Sequence, residues 1–330
     1  MIAAAYPDLE ITALARNSDK GAKIVAKHPR IKLVYGDLDS TDILTAETAK
    51  ADIVVHTAHS DHVGAANAIV SGLAQKTTPG YLIHTSGTGL MGFEDHERKT
   101  YGEYVDTKYD DWEGLPKILS LPEHYLHNDV NKIVLAAAKK NPGNVFTAIV
   151  CPPTIYGPGR GPDNQRSVQG PDMANAVLKR GKGFQLGEGK NIWTEVHVQD
   201  LSEVFLALVA AALEGGGKAT WNDEGFYFTE NGEFMWGEVA QKIAKIAADM
   251  KLIETTELDS VDWKAADEMR EFGAYLWGTN ARCKSIRANR LFGWTPKKEK
   301  LFDTLPAMVE GEAKALGLVK GHAEKAAGDA

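Results

Sequence analysis

The first half of the chain alternates short apolar runs with stretches of helical character, and this alternation limits the possible folds most strongly. The apolar runs are EITALAR (10–16), IKLVYGDL (31–38), ADIVVHTA (51–58), GYLIHTS (80–86) and VFTAIVCPP (145–153). Each run is unbroken rather than alternating with polar residues, which predicts strands of a parallel sheet covered by helices on both faces. We therefore predict a doubly wound α/β fold.

Beyond residue 155 the pattern loosens, and Gly- and Pro-rich loops separate shorter strands and helices. We expect a sheet domain at 1–155 and a smaller mixed α/β region at 156–330, in which residues 193–214 pack back on the sheet. The small and polar residues 320–330 are expected to fray.

Composition narrows the partners and the location. The 330-residue chain has a formal net charge of -8 and no basic cluster, which argues against nucleic acid and anionic membrane surfaces as partners. No apolar run approaches the roughly 20 residues that a membrane-spanning helix needs. Two distant cysteines, Cys151 and Cys283, favour a reducing compartment, so we predict a cytoplasmic protein.

Five stretches taken together resemble the short-chain dehydrogenase/reductase superfamily, in its extended or atypical branch of NAD-dependent epimerase/dehydratase-like proteins. They are YGDLDS (35–40), VVHTAHSD (54–61), LIHTSGTGLMG (82–92), CPPTIYGPGRGP (151–162) and WTEVHVQDLSEVF (193–205). The resemblance implies a Rossmann-like sheet at 1–155 that binds a dinucleotide and a substrate-binding region at 156–330. It also implies an NAD(P)-dependent oxidoreductase.

The start of the chain departs from the family pattern. Members open with a strand and a G-x-x-G-x-x-G turn that binds the pyrophosphate, whereas the early glycines here are Gly21 and Gly36. We therefore expect the first strand to be missing, with roughly 20–25 residues upstream of Met1. As written, the chain should leave two facing strand edges without a partner and bind nucleotide weakly.

A second glycine-rich stretch, GTGLMG (87–92), matches G-x-G-x-x-G after a strand. A pyrophosphate-binding turn must also open a helix, but the charged FEDHERKTYGEY that follows has no apolar face. We favour a flexible active-site loop at this position.

The resemblance implies that a Ser or Thr after the fifth strand works with a Tyr and a Lys four residues apart. Ser86 and Thr88 are the candidate hydroxyls, although Gly87 occupies the family's hydroxyl position. Tyr125 is the candidate proton donor, but residue 129 is Asp rather than Lys.

Other pairs near these positions have the same or a similar spacing. His127 is followed by Asn131 at the Tyr–Lys spacing, and Lys132 lies seven residues beyond Tyr125. Tyr104 and Lys108 match Tyr-x-x-x-Lys formally, but their acidic surroundings favour a solvated loop.

The cofactor is expected to be NADP, with NAD as the alternative. Arg16 ends the second family strand, where NAD-dependent members place an acidic residue, and its guanidinium suits a 2′-phosphate. The remaining cofactor-binding candidates that the resemblance implies are Asp37, Leu38, Thr57, Ala58, Pro153 and Thr154.

The expected partner is a small hydrophobic carbonyl or hydroxyl metabolite rather than a nucleotide sugar, in a protein that could form a homodimer. Trp193 stands where the family's sugar-nucleotide epimerases carry an arginine for the diphosphate. Its indole could stack on an apolar ligand, beside Trp112 and the aromatic GFYF (225–228), or it could be packing.

Two functions of other classes remain open from the sequence. A non-catalytic NAD(P)-binding regulatory protein is favoured by the absent Tyr–Lys pair. A zinc hydrolase could use His59, Asp61 and His62, although the first ligand position of that motif holds Thr57.

Overall fold

A computed structural model describes residues 1–319, so the predicted fraying of 320–330 lies outside the described residues. The helices are α1 (Ile2–Ala5), α2 (Ser18–Lys27), α3 (Thr41–Thr48), α4 (Val63–Ala74), α5 (Phe93–Arg98), α6 (Leu115–Leu119), α7 (Asn128–Lys140), α8 (Gln169–Arg180), α9 (Val198–Leu213), α10 (Trp236–Asp249), α11 (Trp263–Met269), α12 (Gly273–Gly278), α13 (Arg287–Phe292) and α14 (Leu301–Ala315). The strands are β1 (Thr12–Ala15), β2 (Lys32–Tyr35), β3 (Ile53–His56), β4 (Gly80–Thr85), β5 (Tyr109–Asp110), β6 (Val145–Cys151), β7 (Thr154–Tyr156), β8 (Gly183–Leu186), β9 (Ile192–His197), β10 (Phe226–Phe228), β11 (Glu233–Met235), β12 (Leu258–Val261) and β13 (Cys283–Lys284).

The central sheet is parallel, as predicted, but it is divided in two. A four-stranded sheet has the order β10-β6-β4-β3, and all of its pairs are parallel. β1 and β2 form a separate parallel pair. Within residues 1–319, β1 pairs with β2 alone and β3 with β4 alone. A cleft of about 390 Å³ between them is lined by residues of β1, β2 and β3, which agrees with the prediction of two facing edges.

Helices cover both faces of the four-stranded sheet, which confirms the doubly wound α/β class. On one face, Leu73 of α4 and Val134 of α7 join the apolar core around β4 and β6. On the other face, Leu208 of α9 packs with Ile83 and Val150. Each of these side chains is at most 1% exposed, and burial of such a side chain stabilises the fold by about 1.5–3 kcal/mol.

The second half of the chain adds small sheets beside this core. β7 pairs in parallel with β9, which pairs antiparallel with β11, and β8–β12 and β5–β13 are parallel pairs. β9 leads directly into α9, so residues of 192–213 lie against the four-stranded sheet. No helix within residues 1–319 is long and apolar enough to cross a membrane.

Residues 87–98 are more ordered than the sequence indicates. The predicted flexible loop contains a 3-10 turn at Thr88–Gly92 and then α5. The turn forms because its residues are buried and because Thr88 N donates to the Pro152 carbonyl at 3.0 Å. The expectation of a loop is therefore wrong for residues 88–98, whereas the expectation that they border the active site stays a prediction.

Candidate active site

The candidate hydroxyls lie where the chain leaves β4. Ser86 is 5% exposed and Thr88 is 1% exposed. Ser86 N donates to the Val150 carbonyl at 2.8 Å, which fixes the turn against β6. Thr88 Oγ1 has no hydrogen-bond partner in the described part of the chain, and the Ser86 hydroxyl interacts with the buried Cys151 thiol. A buried hydroxyl without a hydrogen bond lowers the stability of the fold, so the turn is suited to a polar ligand that forms this bond.

His127 lies directly opposite this turn. It precedes α7 with φ of 69°, a left-handed conformation, and its side chain does not cap the helix. A Cβ added at Gly87 would lie 2.9 Å from His127 Nε2, and one added at Gly89 would lie 3.2 Å from it. The imidazole therefore fills the space that a hydroxyl side chain at position 87 would need.

Asp61 binds the other nitrogen of the His127 ring. Its Oδ1 is 2.5 Å from His127 Nδ1, and Ser60 Oγ is 3.1 Å from the same nitrogen. Burial opposes ionisation of the Asp61 carboxyl, but the hydrogen bond and charge of His127 outweigh it and lower the pKa of Asp61 below its ordinary value. Sequence reasoning missed this pair because 66 residues separate its members. The available signal was the His127–Asn131 spacing.

Asn131 lies one helical turn beyond His127, on the same face of α7. It is 1% exposed, and neither atom of its side-chain amide has a partner within residues 1–319. Lys132 cannot serve in its place, because its Nζ donates to the Leu119 carbonyl at 2.6 Å.

Tyr125 has no lysine beside it. Its ring stacks on Phe93 with centroids 4.9 Å apart. Burial, together with the charges of Glu97 and Glu94, raises the pKa of Tyr125, which does not favour its action as a base. Tyr104 and Lys108 lie outside the helices and bond Asp106 and Glu233 respectively, consistent with the predicted loop.

The candidates Pro153 and Thr154 are buried at the start of β7, with Pro153 directly before it and Thr154 as its first residue. Thr154 Oγ1 also has no partner among the described residues. We call Ser86–Gly89, His127, Asn131 and Thr154 the reaction end of the site. It lies at the carboxyl ends of β4 and β6 and the start of α7, where doubly wound proteins bind their ligands.

The remaining candidates surround the cleft between β1 and β3. Leu38, Thr57 and Ala58 line this cleft. Arg16 and Asp37 follow β1 and β2 and are exposed, and no described residue pairs with the Arg16 guanidinium. The hydrogen bond from Ser40 lowers the pKa of the Asp37 carboxyl. We call these five residues the adenine end.

A buried histidine pair lies below the reaction end. His56 Nδ1 and His84 Nδ1 are 2.9 Å apart at the ends of β3 and β4. Burial is the main cause that lowers the pKa of His84 to about 3, and burial also lowers the pKa of His56. Burial therefore favours the neutral form of both rings.

The aromatic residues expected near the substrate have a different role. Trp193 is 4% exposed and its indole nitrogen donates to the Thr279 carbonyl at 2.6 Å, which makes it a packing residue. Residues 226–228 of the GFYF stretch are buried in the core, and the Arg287 and Arg290 side chains cover Trp112. The expected stacking surface is not formed by these residues.

A different aromatic group borders the turn after β4. Phe93 is stacked on Tyr125, and Tyr275 packs against Phe93 edge-on at 6.4 Å. The Tyr275 hydroxyl donates to the Gly89 carbonyl, and a Cβ at Gly89 would lie 3.0 Å from Leu126. We call the three aromatic residues Phe93, Tyr125 and Tyr275, together with the adjoining Leu126, the aromatic flank.

The alternative zinc ligands are not brought together. His62 Nδ1 accepts from Ala65 N at the start of α4, His59 Nδ1 accepts from Asp61 N, and Asp61 binds His127. Residues 1–319 contain no group of three side chains suited to hold a metal. The geometry gives no support to a zinc hydrolase.

Comparison with known proteins agrees with this architecture. The model of the NAD dependent epimerase/dehydratase family matches residues 128–222. Oxidase ucsJ from Acremonium sp is 36% identical over 323 residues, covering 95% of this chain and 93% of that protein.

Solved structures show the same fold. PbgP3 from Burkholderia pseudomallei has a TM-score of 0.62 at 17% identity, covering 95% of this chain and 92% of its own. DesIV, a dTDP-glucose 4,6-dehydratase from Streptomyces venezuelae with NAD bound, has a TM-score of 0.62 at 18% identity, covering 96% and 92%. The chain belongs to the NAD-dependent epimerase/dehydratase family.

Proposed function

We propose that the chain is an NAD(P)-dependent oxidoreductase acting on a small hydrophobic carbonyl or hydroxyl compound, not on a nucleotide sugar. The observation that carries this proposal is the aromatic flank, which meets the turn after β4 at Gly89. Aromatic and aliphatic side chains beside a few polar groups favour a small apolar ligand. The oxidase assignment of the 36% identical relative supports redox chemistry.

The residues of the reaction end fit a nicotinamide nucleotide. Three buried polar groups there have no partner within residues 1–319, and a polar ligand could form hydrogen bonds with them: Thr88, Asn131 and Thr154. We infer that Asn131 and Thr154 orient the nucleotide, while Ser86 and Thr88 bind the substrate oxygen. When bound, the nicotinamide ring supplies the hydride acceptor or donor.

The adenine end gives a less complete fit. Arg16 favours NADP because a guanidinium can bind a 2′-phosphate with two charge-assisted hydrogen bonds. Asp37 and Leu38 would contact the adenine, and Thr57 and Ala58 the ribose. The described residues between these two ends include no Gly-rich turn that opens a long helix, so the fit to the pyrophosphate is poor.

The experiment that tests this proposal measures cofactor-dependent turnover with two sets of substrates. Benzyl alcohol, cyclohexanol and the matching carbonyl compounds form the first set, and UDP-glucose and dTDP-glucose form the second. We expect turnover within the first set, with NADP(H) preferred over NAD(H). Efficient turnover of a nucleotide sugar alone would contradict the proposed substrate class.

A non-catalytic NAD(P)-binding regulator is the second candidate function. The absence of a Tyr–Lys pair in α7 favours it, since Asn131 stands at the lysine position relative to His127. Such a protein would bind nucleotide and show no hydride transfer with either substrate set.

A further inference from the structure

We propose that His127 and Asp61 form an acid–base dyad, in which Nε2 of His127 exchanges a proton with the substrate hydroxyl and Asp61 positions the ring. This inference rests on the proposed function, because it assigns the proton-transfer group of the same site. The dyad would take the place of the Tyr–Lys pair that the family pattern predicts in the region of α7, where residue 129 is Asp rather than Lys.

The contacts of the ring fix its tautomer. An ionised carboxylate can only accept hydrogen bonds, so the 2.5 Å contact between Asp61 Oδ1 and His127 Nδ1 requires a proton on Nδ1. Ser60 Oγ lies 3.3 Å from Asp61 Oδ2 and donates to it. The proton on His127 Nδ1 is therefore donated to Asp61 rather than to Ser60. A neutral ring then carries its lone pair on Nε2.

The lone pair faces the reaction end. No described residue forms a hydrogen bond to Nε2, and Gly87 and Gly89 are the positions that face it. A Cβ at Gly87 would lie 2.9 Å from Nε2, so glycine at this position lets the ring approach the turn that carries Ser86 and Thr88. A base within reach of a substrate oxygen, with its other nitrogen held by a carboxylate, is the usual arrangement of a catalytic histidine.

A purely structural role explains these features less well. His127 does not cap α7, and it holds a left-handed backbone conformation that non-glycine residues adopt rarely. Its side chain is 15% exposed, so it does not fill the core. Strained positions of this kind are concentrated at functional sites.

The step interconverts an alcohol and a carbonyl compound through the transfer of one hydride and one proton. In the oxidation direction, His127 Nε2 would take the hydroxyl proton of the alcohol, and bound NAD(P)+ would supply the acceptor for its carbon-bound hydrogen as hydride, so that the C=O bond would form. The imidazolium is stabilised by Asp61 and returns the proton to solvent. In the reduction direction, the same nitrogen donates the proton to the carbonyl oxygen.

The charged and titratable groups around the ring are few. Asp61 and His59 approach from the loop before α4, and His84 approaches from β4. Tyr275 of α12 lies near enough to Asp61 for its pKa to respond to that charge, although burial is the main cause that raises it. Of these groups, Asp61 alone forms a hydrogen bond to the His127 ring.

The test combines two readouts on the full chain. The first is the tautomer of His127, read from the ¹⁵N chemical shifts of its ring at pH 7.5. We expect Nδ1–H in the wild type and a mixture of tautomers in Asp61→Asn. The second is turnover of benzyl alcohol with NADP+, compared among the wild type, His127→Asn, Asp61→Asn and the control His124→Asn, which replaces an exposed histidine three residues away.

His127→Asn keeps a residue that tolerates left-handed backbone, so the turn should fold. We expect kcat to fall about 10²–10⁴-fold, in the range of a lost general base, with NADPH affinity within about twofold. Asp61→Asn should lower kcat at least about tenfold, and His124→Asn should remain within about threefold. Full activity of His127→Asn, or an Nε2–H tautomer in the wild type, would overturn the dyad.

The dyad and the proposed function can fail separately. If the wild type turns over UDP-glucose but not benzyl alcohol, the proposed substrate class is wrong. In that case loss of UDP-glucose turnover in His127→Asn would still support the dyad. A wild type that binds NADPH but is inactive with all probes would contradict both the proposed function and a catalytic role for the dyad.

Discussion

The reaction end and the adenine end of the site differ in the structure that supports them. The reaction end stands on β4 and β6, which lie inside a four-stranded parallel sheet with helices on both faces. Arg16, Asp37 and Leu38 of the adenine end follow β1 and β2, a separate pair whose strands are partly exposed. A cleft of about 390 Å³ separates β1 from β3.

This difference shows what each end can contribute before a ligand binds. At the reaction end, packing holds polar groups such as Asn131 and Thr154 in buried positions where no described residue pairs with them, so the site is preorganised at a cost in stability. At the adenine end, Arg16 and Asp37 are solvated and lose little by being unbound. The reaction end should therefore govern chemistry, and the adenine end should govern cofactor choice.

The largest expected effect contrasts the same substitution in the two sheets. Leu82 of β4 is 1% exposed, whereas Leu14 of β1 is half-buried beside the cleft. Leu82→Ala should lower the free energy of unfolding by about 2–5 kcal/mol, because it leaves a cavity in a packed core. Leu14→Ala should cost clearly less. Urea unfolding followed by circular dichroism measures both, and equal losses would show that the two sheets are equally well packed.

Ionisation of Glu195 in β9 should lower the free energy of unfolding, whereas ionisation of Asp37 should raise it. Burial raises the pKa of Glu195 from 4.5 to about 7, so its ionisation opposes folding. The stability is full below pH 4.5 and falls as the pH rises toward 7, by at most about 3 kcal/mol.

Glu195→Gln should flatten this pH dependence of the free energy of unfolding. It should not abolish it, since burial also raises the pKa of Asp111 to about 6. The contribution of exposed Asp37 has the reverse sign and is lost below about pH 3.8, because its pKa is lowered. A slope that is unchanged in Glu195→Gln would contradict the assignment.

Cofactor choice should respond to Arg16. Arg16→Asp should weaken NADP binding relative to NAD by about 1.5–3 kcal/mol, since a hydrogen bond to a charged group is lost. Arg30→Asp, an equal change of charge at another exposed arginine, should leave the ratio of the two affinities nearly unchanged. Titration calorimetry with both nucleotides measures this ratio. If Arg16→Asp and Arg30→Asp behave alike, Arg16 does not contact the cofactor.

Replacement of Asn131 should change the stability of the unliganded chain and its affinity for nucleotide in opposite directions. Asn131→Leu removes two buried polar atoms without partners, so the unliganded chain should gain about 1–3 kcal/mol of stability. Nucleotide affinity should fall at the same time. Thermal unfolding with and without NADPH measures both, and a variant with unchanged ligand-induced stabilisation would exclude Asn131 from the site.

The sequence predicted the fold better than the site. The unbroken apolar runs predicted β1–β4 and β6, because burial on both faces requires apolar residues on both. The order of residues 88–98 could not be predicted, since it depends on the distant Pro152 and Val150 carbonyls and on burial. For the same reason the sequence could not decide whether Trp193 stacks on a ligand or packs in the core, because its contact with Thr279 joins distant parts of the chain.

Local motifs gave site candidates, whereas contacts between distant parts of the chain were missed. Ser86, Thr88 and Thr154 are buried, and their roles in the site stay predictions. The pairing of His127 with Asp61 depends on β3 and α7 being brought together by the sheet. The spacing of His127 and Asn131 gave a signal, but it did not indicate which residue would orient the ring.

Hydrogen exchange measured by mass spectrometry, with and without saturating NADP+, tests the contrast between the two ends most directly. Without nucleotide, amides of β1 and β2 should exchange at least about 100-fold faster than those of β4 and β6, because local opening costs less free energy in an exposed pair of strands. NADP+ should slow exchange at residues 127–131 and 154, and also near Arg16. Equal exchange rates in the two sheets, or no slowing at 127–131 when nucleotide is bound, would contradict the account.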